Sequence, residues 1–525
     1  MSAISPIQSA PASAASRNVF ATSRSDAAVL SKLSPSAIVK LSAEGAAAAR
    51  NPGAPDTATL IAANLASSSV SARFSGLGEA MLSQFKGENE GGNVKMAESA
   101  RTAPAGMRET PYGAAIAAAG SSLHGAGDDR ITLSITTVSG VQVTLGLDNQ
   151  ADGLAVQMSS SGDLSDGERT ALAGLAGAFQ QAIDGISQQP PKIRLEGLTQ
   201  FDPSVLASVD LRASVQLKGT GNGSQTLEFR ADATQRKVSL DGPSGSATMQ
   251  VDTANLAGVG SAERQAKAVG SYLKQVEQAA ARGHGDPTLV SMFKDAFAGM
   301  HGNIGDAGTG AGWGQTGKLQ LAPEDHAAMT GLADFSASMT QTPDAINPMR
   351  PGEQDHFTYN TAQSTSVGGR SQAERTVSQQ QSSELAASFH TPTVAGVSLA
   401  LGYEQASQNY NYHQIKDSAS SEVRLAYREG LMVSATLDQS ATQSARVMNY
   451  VAGSLASDKL TPGKHSVQRD LLAGLAPHRA NERGLSEEER SDRRARIMDT
   501  LGEQVLLQAY PLAVSGVASG ETAPV

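Results

Sequence analysis

Cysteine is absent from the 525 residues of this chain. Disulfide bonds, thiol catalysis and cysteine-ligated zinc or iron–sulfur centres are therefore excluded. Aromatic residues are scarce, at 4% with a single tryptophan, so we expect ordinary hydrophobic cores in some segments only. No run of about 18 apolar residues occurs, so the sequence predicts no membrane-spanning helix.

A strong net charge is also absent. The formal charge of −10 is mild for this length, and no basic stripe with interleaved aromatics occurs, so nucleic acid is not an expected partner. Residues 1–30 lack the basic and apolar regions of a cleavable signal peptide, being rich in Ser, Ala and Pro and uncharged until Arg17. This composition fits an ordinary disordered terminus and also the export signals of type III or flagellar secretion substrates. Secretion without a cleavable signal peptide is favoured over a cytoplasmic location.

The most regular pattern lies between residues 129 and 255. Ser165 and Glu168 have the spacing of a capping box, and an apolar stripe continues from there for about six helical turns. Val205–Leu217 then alternates apolar and polar residues, as a half-buried strand does. Further alternating runs flank this pair without repeated β-α-β units. The pattern predicts an α+β fold of antiparallel β-meanders with a central amphipathic helix.

One part of this region resembles a known group of proteins. Met158–Ser165, which reads MSSSGDLS, its helix, and the stretches Leu195–Leu198 and Val209–Leu211 carry the likeness. They resemble a strand–helix–strand unit of uncharacterised bacterial proteins, some of them in flagellar or secretion contexts. The resemblance implies the fold of this unit alone, since that group offers no functional residues to transfer.

Composition and period divide the chain into five segments. In order, these are a mostly disordered N-terminal arm with short helices at 1–128, an α+β core at 129–255, a helical segment with a Gly-rich loop at 256–341, long polar antiparallel strands at 353–440, and a helical C-terminal tail at 441–525. Within the arm, Thr57–Ala66 and Ser71–Phe85 have helical spacing. We expect the second patch to pack on the main body, with partner binding as the alternative.

Three helices are expected in the segment 256–341. The first begins after Ala262, the second is capped by Asp286 with Pro287 at its first position, and the third starts at Pro323 and extends through Met339. The third helix rests on the spacing of Met329, Leu332, Phe335 and Met339. Together they would cover one face of the sheet or form a small bundle.

The strands at 353–440 place Ser, Gln, Asn and Thr between apolar residues, and we expect them to be half-buried at best. Residues 370–389 fit either a helix or a strand, whereas residues 397–405 alternate as a strand does. Such strands either complete the protein's own fold, which we expect, or pair by free edges with another chain. In the tail, Ser486 caps one helix, and an earlier helix is predicted by the spacing of Val447, Val451 and Leu455.

Two sequence motifs match known signatures by spacing alone. Gly312–Lys318 has the spacing of a phosphate loop, but Leu319 replaces the magnesium-binding Ser or Thr and no apolar strand precedes it. The pattern S-x-x-K occurs at Ser271 and Ser291 without the S-D-N and K-T-G partners of penicillin-interacting enzymes. Chance in a glycine-rich chain explains the first, and solvent-facing helix residues explain the second.

The nine histidines form no metal-binding motif in the sequence. His356, His390 and His413 fall in the polar strands, where cross-strand approach is one way to build a metal site. Ordinary exposed strand histidines are the simpler interpretation. The sequence therefore predicts no catalytic, cofactor-binding or metal-ligating residue.

These observations favour a non-enzymatic bacterial interaction or structural protein, exported or associated with the envelope, with a protein partner. Neither the partner nor the oligomeric state follows from the sequence. One alternative is an effector enzyme, such as a hydrolase, with a site assembled from distant residues, because catalytic geometry is not local in sequence. The other is a cytosolic scaffold with a disordered arm.

Overall fold

The structure is a computed structural model that describes residues 37–41, 57–86, 94–102, 123–125, 127–217, 223–256, 258–302, 304, 319–473, 484–501 and 504–515. Within this part of the chain, fifteen strands form one sheet. In chain order they are β1 (Ala37–Leu41), β2 (Lys95–Thr102), β3 (Asp129–Thr137), β4 (Gln142–Gln150), β5 (Gly153–Ser160), β6 (Leu206–Leu217), β7 (Gly223–Asp232), β8 (Gln235–Gly242), β9 (Gly245–Asp252), β10 (Phe335–Gln341), β11 (His356–Gly369), β12 (Arg375–Pro392), β13 (Tyr410–Arg428), β14 (Leu431–Val451) and β15 (Ser454–Asp470).

The α-helices of the described residues are mostly short and lie between or outside the strands. They are α1 (Thr57–Asn64), α2 (Val70–Phe74), α3 (Leu77–Ser83), α4 (Asp166–Gly174), α5 (Ala176–Ser187), α6 (Ala262–Gly283), α7 (Pro287–His301), α8 (Pro323–Ala327), α9 (Glu487–Leu501) and α10 (Pro511–Val514). No helix in this described part is long and apolar enough to cross a membrane.

Every strand pairing in the sheet is antiparallel. The strand order is β1-β2-β5-β4-β3-β6, and from β6 to β15 each strand lies beside the one that precedes it in sequence. The predicted α+β class with antiparallel meanders is confirmed. The polar strands at 353–440 belong to this same sheet, a point that the sequence left open.

Side chains that point to the same side stay in register from strand to strand. On one side, which we call the helix face, apolar residues oppose one another, as Leu133 does with Leu145 and Leu211. The other side, which we call the open face, carries polar residues such as Thr132 and Arg212. Alternation with a period of two therefore separates the two faces across the sheet.

The helices supply the second layer. Phe179 and Ile183 of α5 are fully buried in the same cluster as the apolar residues of β3 to β6. Helix α4 begins with the predicted capping box, in which the Glu168 amide donates to Ser165 Oγ at 3.4 Å and Glu168 Oε2 accepts from the Ser165 amide at 2.8 Å. The predicted six-turn helix is divided at Leu175 into α4 and α5.

Both helical patches of the N-terminal arm are confirmed. Phe74 and Met81 are fully buried in the main cluster, and the Gly78 amide donates to Gln180 Oε1 of α5 at 2.9 Å. The second patch thus packs on the main body, as expected. Strand β2 lies in the same stretch and was not predicted, while the greater part of residues 1–128 lies outside the described residues.

Two helix predictions are wrong. Helix α8 ends at Ala327, and the predicted continuation to Met339 is instead strand β10, because Gly331 adopts φ +82° and Phe335, Ala337 and Met339 then alternate. In the tail, Val447 and Val451 lie in β14 and Leu455 in β15, so 441–470 is a hairpin rather than a helix.

The feature that favours this hairpin is the two-residue turn between β14 and β15. Ala452 and Gly453 both have positive φ, at 48° and 76°, as the two central residues of a type I′ turn require. Spacing of three and four residues among small side chains also fits a strand when a partner strand is available, and tertiary pairing decides. The Ser486-capped helix α9 is confirmed, with the Glu489 amide donating to Ser486 Oγ at 3.2 Å.

The ambiguous stretch 370–389 is mostly strand β12. The alternating residues 397–405 form no strand and belong to the loop between β12 and β13. Leu399 and Leu401 of that loop pack on a separate cluster of tyrosines on the open face.

The long strands are more deeply buried than the sequence suggests. Their helix-face positions include polar side chains with relative exposures of 5% or less, namely Thr361, Gln363, Gln379, Gln381, Ser383, Ser421 and Gln439. Gln381 Nε2 donates to the Val505 carbonyl at 2.7 Å, and its Oε1 accepts from the Leu507 amide at 3.0 Å. We call the seven buried polar side chains named above the buried amide ladder. It supplies hydrogen bonds to irregular backbone that crosses the sheet.

Candidate functional site

The three histidines singled out in the polar strands do not converge. His390 lies opposite Tyr412 in the β12–β13 register and belongs to the open face. His413 lies opposite Phe389 and belongs to the helix face, where the two rings stack with centroids 4.6 Å apart. Within the described residues, no group of three or more His, Cys, Asp or Glu side chains is placed to hold a metal ion.

His390 nevertheless lies in a dense group of ionisable side chains. The β10–β11 connection, residues 342–355, folds over one end of the open face, and we call this segment the cap. His390 Nδ1 is 2.5 Å from Asp355 Oδ1, and its Nε2 is 3.4 Å from Glu353 Oε2. The His390 backbone amide also donates to Asp355 Oδ1, at 3.0 Å.

Tyrosines from β13 and β14 complete this group. The Tyr410 hydroxyl donates to Glu353 Oε2 at 2.7 Å, and the Arg350 guanidinium lies over the Tyr450 ring at 4.3 Å. Burial, followed by the Glu353 carboxylate, raises the pKa values of Tyr410 and Tyr450 above that of an ordinary tyrosine. The two tyrosines are therefore neutral, and Tyr410 serves Glu353 as a hydrogen-bond donor.

This group resembles hydrolytic machinery only in its His–carboxylate pair. The His390 side chain has an exposure of 0%, so it cannot touch a substrate while the cap is in place. The nearby Ser388 hydroxyl donates to the Gln354 carbonyl at 2.6 Å. His356 Nδ1 lies 2.7 Å from Ser388 Oγ, whereas the ring contacts of His390 are with carboxylates. The group holds the cap on the sheet.

A second ionic group lies on the helix face and is structural. Arg375 Nε donates to Asp325 Oδ2 at 2.9 Å, and its guanidinium stacks on Tyr427 at 3.5 Å. The Tyr427 hydroxyl donates to Asp325, whose carboxylate also accepts from the Ala322 amide at 2.8 Å. Because Arg375 and Asp325 are almost wholly buried, they fasten α8 to the end of the long strands.

The remaining sequence motifs are the two S-x-x-K patterns and the phosphate-loop spacing. Lys294 of the second S-x-x-K pattern pairs with Glu277 of α6, and Ser271 and Lys274 lie on the outer side of the same helix. The phosphate-loop spacing at Gly312–Lys318 lies outside the described residues.

A small cavity beside α6 has too little volume for a ligand. Its volume is about 20 Å³, which suits a single water, and its wall includes Gln275, Tyr359 and Asp417. The cavity is therefore part of the packing between α6 and the long strands.

A broad, shallow concavity among the described residues lies on the open face. It has a volume of about 570 Å³ and crosses β8 to β12. Five adjacent strands span about 19 Å at the usual separation. We call it the polar trough, and the open-face side chains that line it are Lys237, Thr248, Gln250, Ser336, Ser338, Asn360, Ala362, Ser382 and Glu384.

The trough is chemically simple. Hydroxyls and carboxamides dominate its floor, and the Thr248 and Ser338 hydroxyls are 2.8 Å apart. Its two charged side chains, Lys237 and Glu384, lie on the outermost strands β8 and β12. No aromatic ring contributes to this lining. The trough therefore offers directional hydrogen bonds with little net charge, and sequence reasoning missed it because it forms only when five strands align.

Comparison with protein-family models, curated proteins and solved structures finds no significant match to this chain. The resemblance carried by Met158–Ser165 thus stays an expectation about β5, the turn and α4.

Proposed function

We propose that this chain is a non-enzymatic interaction protein that binds a protein partner on the open face of its sheet. The carrying observation is the polar trough, a concavity of about 570 Å³ on the open face of the described residues, whose opposite side is packed with helices. Protein partners are favoured because hydroxyl and amide groups complement the peptide groups and polar side chains of another protein surface.

The charges of the trough restrict the kind of partner surface that can bind there. One cation, Lys237, and one anion, Glu384, lie about 19 Å apart, so the surface has no field of a single sign. A polyanion such as nucleic acid would find no basic stripe there. The matching partner surface is polar and close to neutral.

Site-specific photo-cross-linking in living bacteria tests this proposal. A benzophenone amino acid replaces Ser336 or Asn360, both exposed in the trough, and Lys274, exposed on α6, serves as the matched control on the opposite side. We expect the same discrete cross-linked species from both trough positions and none from Lys274. Cross-linking at Lys274 alone, or at none of the positions in cells that contain the folded protein, contradicts the proposal.

We further propose that the protein is exported by a type III or flagellar export apparatus. The support is the Ser-, Ala- and Pro-rich composition of residues 1–30 and the absence of cysteine. Culture supernatants of strains with and without a type III or flagellar export apparatus test this. Protein confined to the cytosol in both strains contradicts export and leaves the cytosolic scaffold as the interpretation.

One observation favours the rival enzyme, namely the gathering of Arg350, Glu353, Asp355 and His390 from two separate segments. A hydrolase built on this group requires His390 to reach a substrate after the cap moves. Hydrolytic turnover of ester, peptide or phosphoester substrates that is lost in His390→Ala, but kept in His356→Ala, would establish that rival.

A further inference from the structure

The helix face of the long strands holds one extended segment of the chain through side chains. Residues 504–509, which we call the strap, lie between α9 and α10 and cross β12, β13 and β14. Among the residues that the structure describes, no backbone–backbone hydrogen bond joins the strap to a strand. We propose that the surface beneath the strap is a peptide-binding groove, and that the same segment of a second copy of this chain can fill it in place of the strap.

The floor of the groove is a row of polar side chains from the buried amide ladder. Gln381 of β12 lies opposite Ser421 of β13, which in turn lies opposite Gln439 of β14. Neighbouring strands are about 4.8 Å apart, so the row spans about 10 Å, which is the length of three residues of extended chain. A peptide that crosses the strands at a right angle therefore meets a hydrogen-bonding side chain on each strand.

The row contacts the strap through the backbone of the strap. Gln439 Nε2 donates to the Gln504 carbonyl at 2.8 Å. Ser421 Oγ donates to the Val505 carbonyl at 2.9 Å. The Gln381 carboxamide donates to one strap carbonyl and accepts from one strap amide. Every peptide carries such carbonyl and amide groups, so these bonds suit any extended chain that reaches the row.

Two aliphatic side chains make the groove selective. Val505 and Leu507 each have a relative exposure of 1%, and they belong to two different hydrophobic clusters of the core. The alternate residues Leu506 and Gln508 are half-buried. Backbone hydrogen bonds combined with pockets for alternate side chains are a general mode of recognising extended peptides. The ligand class is therefore an extended peptide with aliphatic residues two positions apart.

The groove is completed by side chains from outside the row. Gln275 Nε2 of α6 donates to the Leu507 carbonyl at 3.0 Å, and Arg469 of β15 donates to Gln504 Oε1 at 3.0 Å. The small cavity beside α6 is lined by both Gln275 and Ala509. Gln275 Oε1 is buried and has no hydrogen-bond partner among the described residues. The strap thus leaves one acceptor of the groove unsatisfied.

A second copy of the chain is the source of ligand to which this geometry commits. Its residues 504–509 carry the same two aliphatic side chains at the same spacing. Exchange of the segment between copies replaces each contact by an identical one, which is why such exchange costs little. The groove lies on the face opposite the polar trough, so this inference does not rest on the proposed function.

Binding of a synthetic peptide to the full-length chain tests this inference. The peptide comprises residues 504–515 with a fluorescein label. The host chain carries Leu507→Asp, which places a carboxylate in a buried pocket and so releases its own strap. We expect saturable binding by fluorescence anisotropy, about tenfold or more tighter than to the unmodified chain, whose strap occupies the groove. A peptide that itself carries Leu507→Asp should not bind.

Two further changes to the host locate the bound peptide. Gln381→Leu removes the pair of hydrogen bonds to the peptide backbone and should weaken binding about tenfold or more. Gln380→Leu, exposed on the open face of the same strand, is the matched control and should leave binding unchanged. A folded Leu507→Asp chain that does not bind the peptide, or that binds the Leu507→Asp peptide equally well, would overturn the proposal.

Hydrogen–deuterium exchange of the unmodified chain decides the matter where the Leu507→Asp chain does not fold. Amides of residues 504–509 should exchange through local release of the strap, about tenfold or more faster than the buried amides of β12 to β14. Exchange of strap and strand amides at one common rate would show that the strap leaves only when the sheet unfolds. That result would also overturn the proposal.

Discussion

The helix face is lined differently in the two halves of the sheet. In β3 to β9 its buried positions are mainly branched aliphatic residues, as in β3 with Ile131, Leu133 and Ile135. In β11 to β14 apolar residues still form the majority of the buried positions, but a group of Gln, Ser and Thr is equally buried among them. The first half is covered by regular helices, whereas the second is covered by α6 together with irregular segments, including residues 328–334 and 504–509.

This difference shows how one face of a sheet can be covered by irregular segments as well as by helices. A helix satisfies its own backbone groups, so the surface beneath it can be apolar. An irregular segment brings unpaired amides and carbonyls, which must find partners when buried. The amide ladder supplies them, as when Gln363 Nε2 donates to the Leu332 carbonyl at 3.0 Å and Gln379 Oε1 accepts from the Thr330 amide at 2.8 Å.

The largest effect is expected in the apolar half. Leu133→Ala removes a side chain with no exposed surface between two other leucines, so it should lower the free energy of unfolding by about 2–5 kcal/mol. Thr132→Ala, one residue away on the open face, should change it by less than about 1 kcal/mol. Chemical denaturation of both variants measures the difference. Equal costs would show that the two faces are not distinguished by burial.

Replacing a polar residue of the buried amide ladder by an apolar residue should lower the free energy of unfolding. Gln381→Leu keeps the volume but leaves the Leu507 amide and the Tyr272 hydroxyl without an acceptor, for a loss of about 2–4 kcal/mol. Gln380→Leu, exposed on the open face of the same strand, is the matched control and should be nearly neutral. Exchange of the Leu507 amide should accelerate in the first variant alone. A stabilised Gln381→Leu protein would mean that the ladder is dispensable.

A titratable ring in the apolar half should make stability depend on pH. Burial lowers the pKa of His301 to about 4 from the ordinary 6.5, so between these values the unfolded chain binds a proton that the folded chain does not. Stability is therefore fully present above pH 6.5 and falls as the pH drops to 4, by at most about 3 kcal/mol. His301→Phe should reduce this slope, and His465→Phe on β15 should not. Unfolding curves at pH 4.5 and 7 measure both.

The smallest effect concerns a helix end. Ser165→Ala removes the acceptor for the Glu168 amide at the start of α4 and should cost about 1 kcal/mol. Ser371→Ala, whose side chain makes no cap bond at a short 3-10 turn, should cost nothing measurable. Thermal unfolding of the two variants gives the comparison, and similar midpoints would contradict the capping contribution.

Local rules predicted the elements whose signals are local. The capping boxes at Ser165 and Ser486 and the alternation of Val205–Leu217 correspond to α4, α9 and β6. The helix predicted at Val447–Leu455 failed because a two-residue turn and a partner strand outweigh an ambiguous spacing of small residues. The alternation of a polar strand does not show which of its two sets of side chains is buried. In β12, for example, Gln379 and Gln381 are buried.

The candidate sites could not be predicted from the sequence because they too depend on which strands and connections pair in the folded protein. The trough requires the register of five strands, and the His390 group joins β12 to a connection more than thirty residues earlier in the chain. Sequence reasoning placed His390 among the polar strands but gave no sign of its carboxylate partners, because Glu353 and Asp355 lie at the start of the same segment, 353–440, which was interpreted only as long polar strands. The close sequence pair Glu353 and Asp355 before a predicted strand was the available signal.

The strand order from β6 to β15 has a consequence for how the molecule is assembled. Each new strand finds its neighbour already at the growing edge, and only the β9–β10 step must wait for intervening α-helices, namely α6, α7 and α8. A chain delivered amino end first can thus build this part of its sheet vectorially, one hairpin after another, without threading a strand between two others. The β1–β2, β2–β5, β3–β6 and β9–β10 pairings are the steps that close longer loops, so they set the slow stage of the process.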